Sequence, residues 1–560
     1  MKIALAQQNY HIGNFEQNTR KIIEGIGWAK EQGADIVVFS ELCVCGYPPR
    51  DFLEFEDFIN RSYLAIDVIK QYADTIAVLI GAPDRNPVRE GKDLFNAAFF
   101  LYEKEVKGVV HKTCLPNYDV FDEYRYFEPA YDWGIIHFKG KKLAITICED
   151  IWNLGDNPLY RNCPMDKLMK HQPDIMVNLS ASPFDYTHVE DRKAVIKLNV
   201  QKYKLPMLYC NVVGSQTEIV FDGGSLVFDK NANLVKQLPL FKEAMEVFDL
   251  NEDGTFTNPV KTFTKDLPDT EFNPSELDYN LCTAEIYDAI AMGIRDYFSK
   301  MGFSKAIIGS SGGIDSAVTL AIACEALGKE SVRAILMPSQ YSTSHSVSDA
   351  EQLSKNLGNP YDIVSIKNIY ESFLAELKPI YKDLPFGVAE ENIQARVRGN
   401  LLMAIANKFG FILLNTSNKS ELATGYGTLY GDMAGGIAVL GDCYKMQVYA
   451  LAGYINRNKE IIPQNIIIKP PSAELRQGQK DTDSLPDYSI LDKVLYQYIE
   501  RRQGPNEIKA QGFDAALVDR VLKLVNVNEY KRNQFCPIIR ISPKAFGVGR
   551  RVPIVGKYLS

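Results

Sequence analysis

The chain has 560 residues, 46% hydrophobic and 24% charged, with a formal net charge of -8. That length exceeds what one core organises, so two domains are expected, while the acidic balance argues against a nucleic-acid partner. No uninterrupted apolar segment could span a bilayer, so no membrane partner is expected. Met1-Lys2-Ile3-Ala4-Leu5-Ala6 is too short an apolar run for a signal peptide, and ten cysteines without a Cys-x-x-Cys pair read as reduced thiols of a cytoplasmic protein. In chain order, short apolar strands are predicted over 2–7, 35–40, 76–80, 97–102, 142–148, 174–179, 207–212 and 225–228, with helices such as 15–32 between them. This first half is α/β. Asn251-Glu252-Asp253-Gly254 opens polar sequence that reads as a connector over 251–275, giving expected domains of 1–250 and 276–560. Beyond it a helix over 284–301, strand 333–337, helix 346–357 and strands 362–366 and 411–415 form the pattern of a doubly wound sheet. The stretch 533–560, rich in Pro, Gly and Arg, reads as a loop-like tail packed on the rest.

Gly309-Ser310-Ser311-Gly312-Gly313-Ile314-Asp315-Ser316 closes the apolar run Lys305-Ala306-Ile307-Ile308 and precedes a helical pattern starting at Ala317. Gly312 and Gly313 lack a Cβ, so their amides can approach an anion closely, and Ser311 and Ser316 add hydroxyl donors. The following helix contributes unpaired N–H groups and a positive dipole end. Asp315 would repel phosphates unless a cation lay between them, and magnesium resolves that conflict. The string lacks the spacing of a Walker loop or a dinucleotide fingerprint. It resembles the Ser-Gly-Gly-x-Asp-Ser loop of the ATP pyrophosphatases, which implies that ATP is split between its α and β phosphates and AMP is transferred to a substrate oxygen.

In the first half, Glu41, Lys112 and Cys148 stand at strand ends, where α/β sandwiches build sites. Singly, each has an ordinary explanation as a core thiol or a solvated charge. Together they can supply a general base, an oxyanion-stabilising ammonium and a nucleophile, with the lysine also favouring a thiolate. Phe39-Ser40-Glu41-Leu42, Lys112-Thr113-Cys114-Leu115-Pro116-Asn117-Tyr118 and Ile147-Cys148-Glu149-Asp150-Ile151-Trp152 resemble the catalytic segments of the nitrilase and amidase superfamily over residues 1–245. The resemblance implies an αββα sandwich and a Glu41–Lys112–Cys148 triad that hydrolyses carbon–nitrogen bonds through a thioester.

The run 115–127 is similar to the glutaminase domains of glutamine-dependent NAD synthetases. That resemblance implies Tyr118 in a glutamine pocket, Glu123 as a second active-site carboxylate and Ser182 as a substrate contact. His188 stands where a Lys or Arg is expected to meet the substrate carboxylate, and Arg192 or Lys193 are the alternatives. In the second half, Asn415-Thr416-Ser417-Asn418-Lys419-Ser420-Glu421, Gly425-Tyr426-Gly427-Thr428 and Gly431-Asp432-Met433-Ala434-Gly435-Gly436 resemble the ATP and substrate segments of NAD synthetases. By matching position, residues 309–316, Thr416 and Ser472 would bind ATP, and Asp315 and Glu421 would hold magnesium. Asn392 and Arg396 would hold the dinucleotide, and Asp432 and Lys445 would meet its nicotinate end and the reacting carboxylate or phosphate. Ser310 replaces the family's usual apolar residue, and its side chain is expected to face away from phosphate. The polar run 470–488 suits a loop that closes over the site. The resemblance implies three small-molecule substrates, glutamine, ATP and nicotinic acid adenine dinucleotide, together with an ammonia tunnel and a homo-oligomer. A ligase of the same mechanism acting on another carboxylate stays open as an alternative, as does a transfer-RNA modifying enzyme, which paired cysteines and a basic surface would have favoured.

Overall fold

The computed structural model describes residues 1–154, 158–257, 276–476 and 478–559, which fall into two compact units on either side of 258–275. From residue 258 onward, the predicted connector lies outside the described residues. The strands of the first unit are β1 (Lys2–Gln7), β2 (Ile36–Val38), β3 (Ala77–Arg85), β4 (Leu94–Tyr102), β5 (Glu105–His111), β6 (Ile136–Phe138), β7 (Lys141–Ile147), β8 (Ile175–Ser180), β9 (Met207–Asn211), β10 (Val213–Gln216), β11 (Ile219–Asp222), β12 (Leu226–Phe228), β13 (Leu234–Gln237) and β14 (Ala244–Asp249). They form two six-stranded sheets, ordered β14-β1-β2-β3-β4-β5 and β13-β12-β9-β8-β7-β6, and a β10–β11 hairpin. The strand pattern did not mark β5, β6, β13 and β14. These are the sheet edges, where half-exposed backbone tolerates polar residues and leaves no continuous apolar run.

Alternation along each central strand sets the layers. Ile3 and Leu5 of β1 point between the sheets to meet Ile145, Ile147, Val177 and Leu179 of the second sheet. Ala4 and Ala6 face outward, beneath Ile22 and Ile26 of α1 (Phe15–Glu31) and Ile59 and Ile66 of α2 (Glu56–Ile69). Helix α1 starts where the Asn14 side chain accepts the Gln17 N–H at 3.2 Å, and its buried stripe recurs at Ile22, Ile26 and Ala29. Each such buried isoleucine contributes about 1.5–3 kcal/mol. On the far side, Met176, Met207 and Tyr209 pack against Met165 and Leu168 of α3 (Pro164–Leu168) and Ile196 and Val200 of α4 (His188–Tyr203). The unit is therefore an αββα sandwich.

The second unit is built on a parallel sheet of β15 (Ala306–Gly309), β16 (Val332–Leu336), β17 (Tyr361–Ile363), β18 (Ile412–Asn415) and β19 (Ile437–Ala438), ordered β17-β16-β15-β18-β19. Its helices include α5 (Thr283–Met301), α6 (Ile314–Leu327), α7 (Ser344–Leu357), α8 (Lys367–Tyr381), α9 (Val388–Phe409), α10 (Lys419–Thr424) and α11 (Lys445–Ile455). Helix α6 begins at Ile314, before the apolar run that marks it in sequence, so Asp315 and Ser316 lie in its first turn. The chain moves outward from β15 to β17 and then returns to the other side of β15 as β18. This topology places a switch point between β15 and β18, and a crevice opens beyond their carboxyl ends.

From residue 533 to 559 the chain forms no helix or strand, yet Ile538, Ile539, Ile541 and Phe546 are buried in this unit. Asp442 anchors this tail by accepting the N–H of Ile541 (2.8 Å) and the N–H and Oγ–H of Ser542 (2.7 and 2.8 Å). Asp442 also pairs with the fully buried Lys419 at 2.9 Å, and the same ammonium reaches Glu500 at 2.7 Å and the carbonyl of Lys544 at 3.0 Å. Removing Asp442 takes one of two carboxylates from a buried ammonium and leaves the tail's donors unpaired, a loss of about 3–5 kcal/mol. Asp442→Ala should lower the calorimetric transition of the second unit by that amount and leave that of the first unit in place. An unchanged second transition would show that the tail is not held this way.

Candidate active sites

In the first unit, β2, β5 and β7 end just before Glu41, Lys112 and Cys148, respectively. The fully buried Lys112 ammonium lies 2.7 Å from Glu41 Oε1 and 2.8 Å from each Glu123 oxygen. Asn96 Nδ2 donates to Glu41 Oε1 at 2.7 Å and to Glu123 Oε2 at 3.3 Å. Tyr47 donates its hydroxyl to Glu123 at 2.8 Å, and the Ala181 N–H donates to Glu41 Oε2 at 2.9 Å. Burial opposes the ammonium, but the Glu123 and Glu41 carboxylates outweigh it and hold Lys112 well above the ordinary lysine value. Glu123 is pushed up, chiefly by burial, against the pull of Lys112.

Cys148 follows β7 directly and starts a short 3-10 turn with a φ of +42°, a conformation disfavoured for a side chain with a Cβ. Lys112 lowers the thiol toward a thiolate, as expected, but other influences are larger. Burial, and then Glu41, raise the thiol well above its ordinary value, and the lowering by Lys112 does not cancel them. A thiol raised in this way needs a base before it can act as a nucleophile, and Glu41 is among the charges that bear on it.

The remaining predicted residues gather on the segment 148–152. Tyr118 is partly exposed and donates its hydroxyl to Glu149 at 2.9 Å, and Tyr160 adds a second donor at 3.1 Å. Burial pushes Glu149 up to about 7. Ser182 Oγ and His188 Nε2 are 2.9 Å apart, and the His188 ring stacks on Trp152 at 4.8 Å. Of the alternatives to His188, Arg192 is buried and grips Asp222 at 2.9 and 3.0 Å, while Lys193 pairs with Glu190 at 2.6 Å along its own helix. Sequence reasoning assigned no role to Tyr47, Asn96, Glu149, Asp150 or Trp152. The last three lie within the motif around Cys148, and Asn96 interrupts the apolar run Leu94-Phe95-Asn96-Ala97; Tyr47 carries no such signal.

At the switch point of the second unit, the loop after β15 is backed by the start of α7. Gly312 has a φ of +75°, and a Cβ there would lie 2.2 Å from the Ser346 carbonyl oxygen, so only glycine fits. Ser311 Oγ accepts the Gly313 N–H at 3.2 Å, and Ser316 Oγ donates to the Gly313 carbonyl at 3.0 Å. Ser310 Oγ is buried and makes no hydrogen bond. A cavity is lined by this loop together with Thr416, Asp432, Ser472 and Arg398. Arg398 received no role from the sequence. It donates Nε to the Met337 carbonyl at 3.1 Å and stands two residues beyond Arg396, a spacing that puts the two on different faces of α9.

Asp315 Oδ2 lies 2.6 Å from Lys445 Nζ, and its Oδ1 accepts Asn418 Nδ2 at 2.9 Å; Lys445 also lies 3.5 Å from Glu421. Burial and the Asp315 charge push Glu421 up to about 8 against Lys445. Asp481, from the 470–488 run, accepts the hydroxyls of Tyr426 (3.2 Å) and Tyr488 (3.1 Å) and adds to the negative charge here. This crowding of carboxylates fits a hard divalent cation. Among the described residues no group of three or more His, Cys, Asp or Glu could hold a metal ion alone, and magnesium normally takes one or two carboxylates plus substrate phosphates. The structure does not bring Asp432 and Lys445 together. Asp432 is partnered by the Thr428 N–H and faces Lys531 and Arg398. Asn392 Oδ1 accepts the Thr428 hydroxyl at 2.8 Å, and Arg396 Nε donates to the Leu429 carbonyl at 3.3 Å, so both meet the loop that carries Asp432.

Comparison with known proteins matches residues 2–255 to the carbon-nitrogen hydrolase family and residues 286–535 to the NAD synthase family. Among curated relatives, a glutamine-dependent NAD(+) synthetase of Synechocystis is 42% identical over 559 residues, covering 99% of this chain and 98% of the relative. One from Thermotoga maritima is 41% identical over 580 residues, covering 100% and 99%. Among solved structures, a glutamine-dependent NAD+ synthetase from Acinetobacter baumannii in complex with ADP shares 38% identity at a TM-score of 0.77, covering 99% of this chain and 98% of that one.

Two outcomes are expected from this geometry. Gly312→Ala should weaken ATP binding at least tenfold, about 1.4 kcal/mol or more, by isothermal titration; near-normal affinity would place the nucleotide elsewhere. Glu149 is raised from an ordinary 4.5 to about 7, so its contribution to stability is full below about pH 4.5 and is lost as pH rises through about 7. Against Glu149→Gln, the unsubstituted protein should lose on the order of 3 kcal/mol across that window, read from the first unit's calorimetric transition. A difference that stays flat with pH would show that the carboxyl is not perturbed.

Proposed function

This chain belongs to the family of glutamine-dependent NAD(+) synthetases, and on that premise we propose how its two units divide a ligase reaction. Residues 1–250 act as a glutamine amidohydrolase and residues 276–560 as the synthetase. Glu41 takes the proton of Cys148 as its sulfur attacks the side-chain amide carbon of glutamine, while the Lys112 ammonium faces the charge that develops on the carbonyl oxygen. Glu41 passes the proton to the departing nitrogen, ammonia leaves, and a water that gives its proton to Glu41 clears the glutamyl thioester. Tyr118, Ser182 and His188 orient the substrate.

In the second unit, the carboxylate of nicotinic acid adenine dinucleotide attacks the α-phosphorus of ATP, displacing pyrophosphate and forming an adenylate. Ammonia then adds to the activated carbonyl carbon and AMP leaves, which yields NAD. The loop 309–316, with Thr416 and Ser472, holds ATP, and Asn392, Arg396 and Asp432 hold the dinucleotide. Lys445 faces the reacting groups beside Asp315. Magnesium, held by Asp315 and Glu421, supplies charge neutralisation for phosphate oxygens when bound. The reading extends to a homo-oligomer, and to a cytoplasmic location, which ten unbridged cysteines support.

The observation that carries this reading is the presence in one chain of Cys148 beside the Glu41–Lys112 pair and of a phosphate loop that only glycine permits at a sheet switch point. With glutamine, ATP, magnesium and nicotinic acid adenine dinucleotide, the protein should form NAD and AMP in equal amounts, and ADP in place of AMP would overturn the loop's assignment. Cys148→Ala should abolish synthesis from glutamine and retain it from added ammonia, and equal loss from both donors would refute the division of labour.

A further inference from the structure

The two catalytic segments of the first unit are joined by one buried carboxylate. Asp150 Oδ2 accepts the N–H of Ile147 at 3.0 Å, the residue immediately before Cys148. Its Oδ1 accepts the N–H groups of Thr113 at 3.0 Å and Cys114 at 2.8 Å, the two residues immediately after Lys112. Asp150 is 2% exposed, and these three donors all come from backbone. A single rigid group thus spans the residue that precedes the nucleophile and the residues that follow the catalytic lysine, across β7 and the segment after β5.

The chemistry makes that span consequential. Cys148 sits at φ +42°, a conformation that persists only where its surroundings over-determine it. Lys112 must meet the carbonyl oxygen of the same amide whose carbon Cys148 attacks, and a displacement near 1 Å between such groups can cost on the order of a hundredfold in rate. The Lys112–Glu41 ion pair fixes the end of the lysine side chain. It does not tie the backbone of residues 112–114 to that of residues 147–148, and Asp150 does.

We propose that Asp150 is a positioning residue for glutamine hydrolysis: by accepting three backbone N–H groups it holds the Lys112 segment and the Cys148 turn in one fixed relation. The proposal rests on the glutamine-hydrolysing reading of the first unit. A carboxylate suits this place because both oxygens accept. An asparagine offers one accepting oxygen, so Asp150→Asn turns an NH2 group toward at least one of the three donors while keeping the residue's size. The changed contacts lie on backbone N–H groups one or two residues from Lys112 and Cys148.

The test uses the full chain and compares Asp150→Asn with the unsubstituted protein by three readouts. Glutamine-driven kcat should fall at least tenfold while the glutamine KM moves less than threefold. Alkylation of Cys148 by iodoacetamide, followed at that residue by mass spectrometry, should change in rate by at least fivefold. Hydrogen exchange should accelerate at the amides of Thr113, Cys114 and Ile147 and keep its pattern in the strand cores. Asp150→Glu, which retains two accepting oxygens, should recover part of the lost kcat. If kcat and the alkylation rate of Asp150→Asn stay within threefold of the unsubstituted protein, the positioning role is overturned. Faster exchange throughout the first unit would likewise overturn it in favour of a general stabilising role. Should the unsubstituted protein release no ammonia from glutamine, it is the reading of the first unit that fails.

Discussion

A buried ammonium held between two carboxylates is the interaction on which the rest of this molecule depends, and among the described residues it recurs at Lys112, Lys445 and Lys419. Lys112 stands between Glu41 and Glu123, Lys445 between Asp315 and Glu421, and Lys419 between Asp442 and Glu500. Removing a charge from water costs several kcal/mol, and a single counter-ion rarely repays it. A second carboxylate and surrounding N–H and O–H donors make burial of the lysine tolerable. In each cluster the carboxyl groups outnumber the ammonium.

The surplus has a different use in each place. Around Lys112 it sets Glu41 beside a thiol that burial raises, which is the arrangement a base-assisted nucleophile requires. Around Lys445 burial and the Asp315 charge push Glu421 up to about 8. A divalent cation would relieve this crowding of acidic groups. Around Lys419 no reacting group is needed. The surplus acceptor capacity of Asp442 is taken by backbone and hydroxyl donors of the tail, so the same motif serves as a structural fastening.

Much of the framework can be read from local pattern. The central strands β1, β3, β7, β8 and β9 have continuous or alternating apolar runs because both their faces are covered, and α1 shows its stripe because only one face is. Edge strands such as β5 and β14 lack that signal, since solvent on one side relaxes the demand for apolar residues. Among site residues, those inside tight motifs were visible because backbone geometry restricts the residue type, as at Gly312. Asn96 and Arg398 are single polar residues in ordinary strand and helix sequence, and their partners stand far away in the chain.

By itself the sequence determined the α/β character of both halves, the glycine-serine loop at 309–316 and the placing of Glu41, Lys112 and Cys148 at strand ends. These follow from short-range rules of periodicity, glycine sterics and turn chemistry. Only the tertiary structure decided how those side chains are charged and whom they meet. It showed that Lys112 answers to two carboxylates, that burial raises the Cys148 thiol, that Arg192 is committed to Asp222, and that Asp432 and Lys445 belong to different clusters. The reason is physical: protonation and pairing depend on burial and on charges brought together from distant segments, and neither quantity exists until the chain is folded.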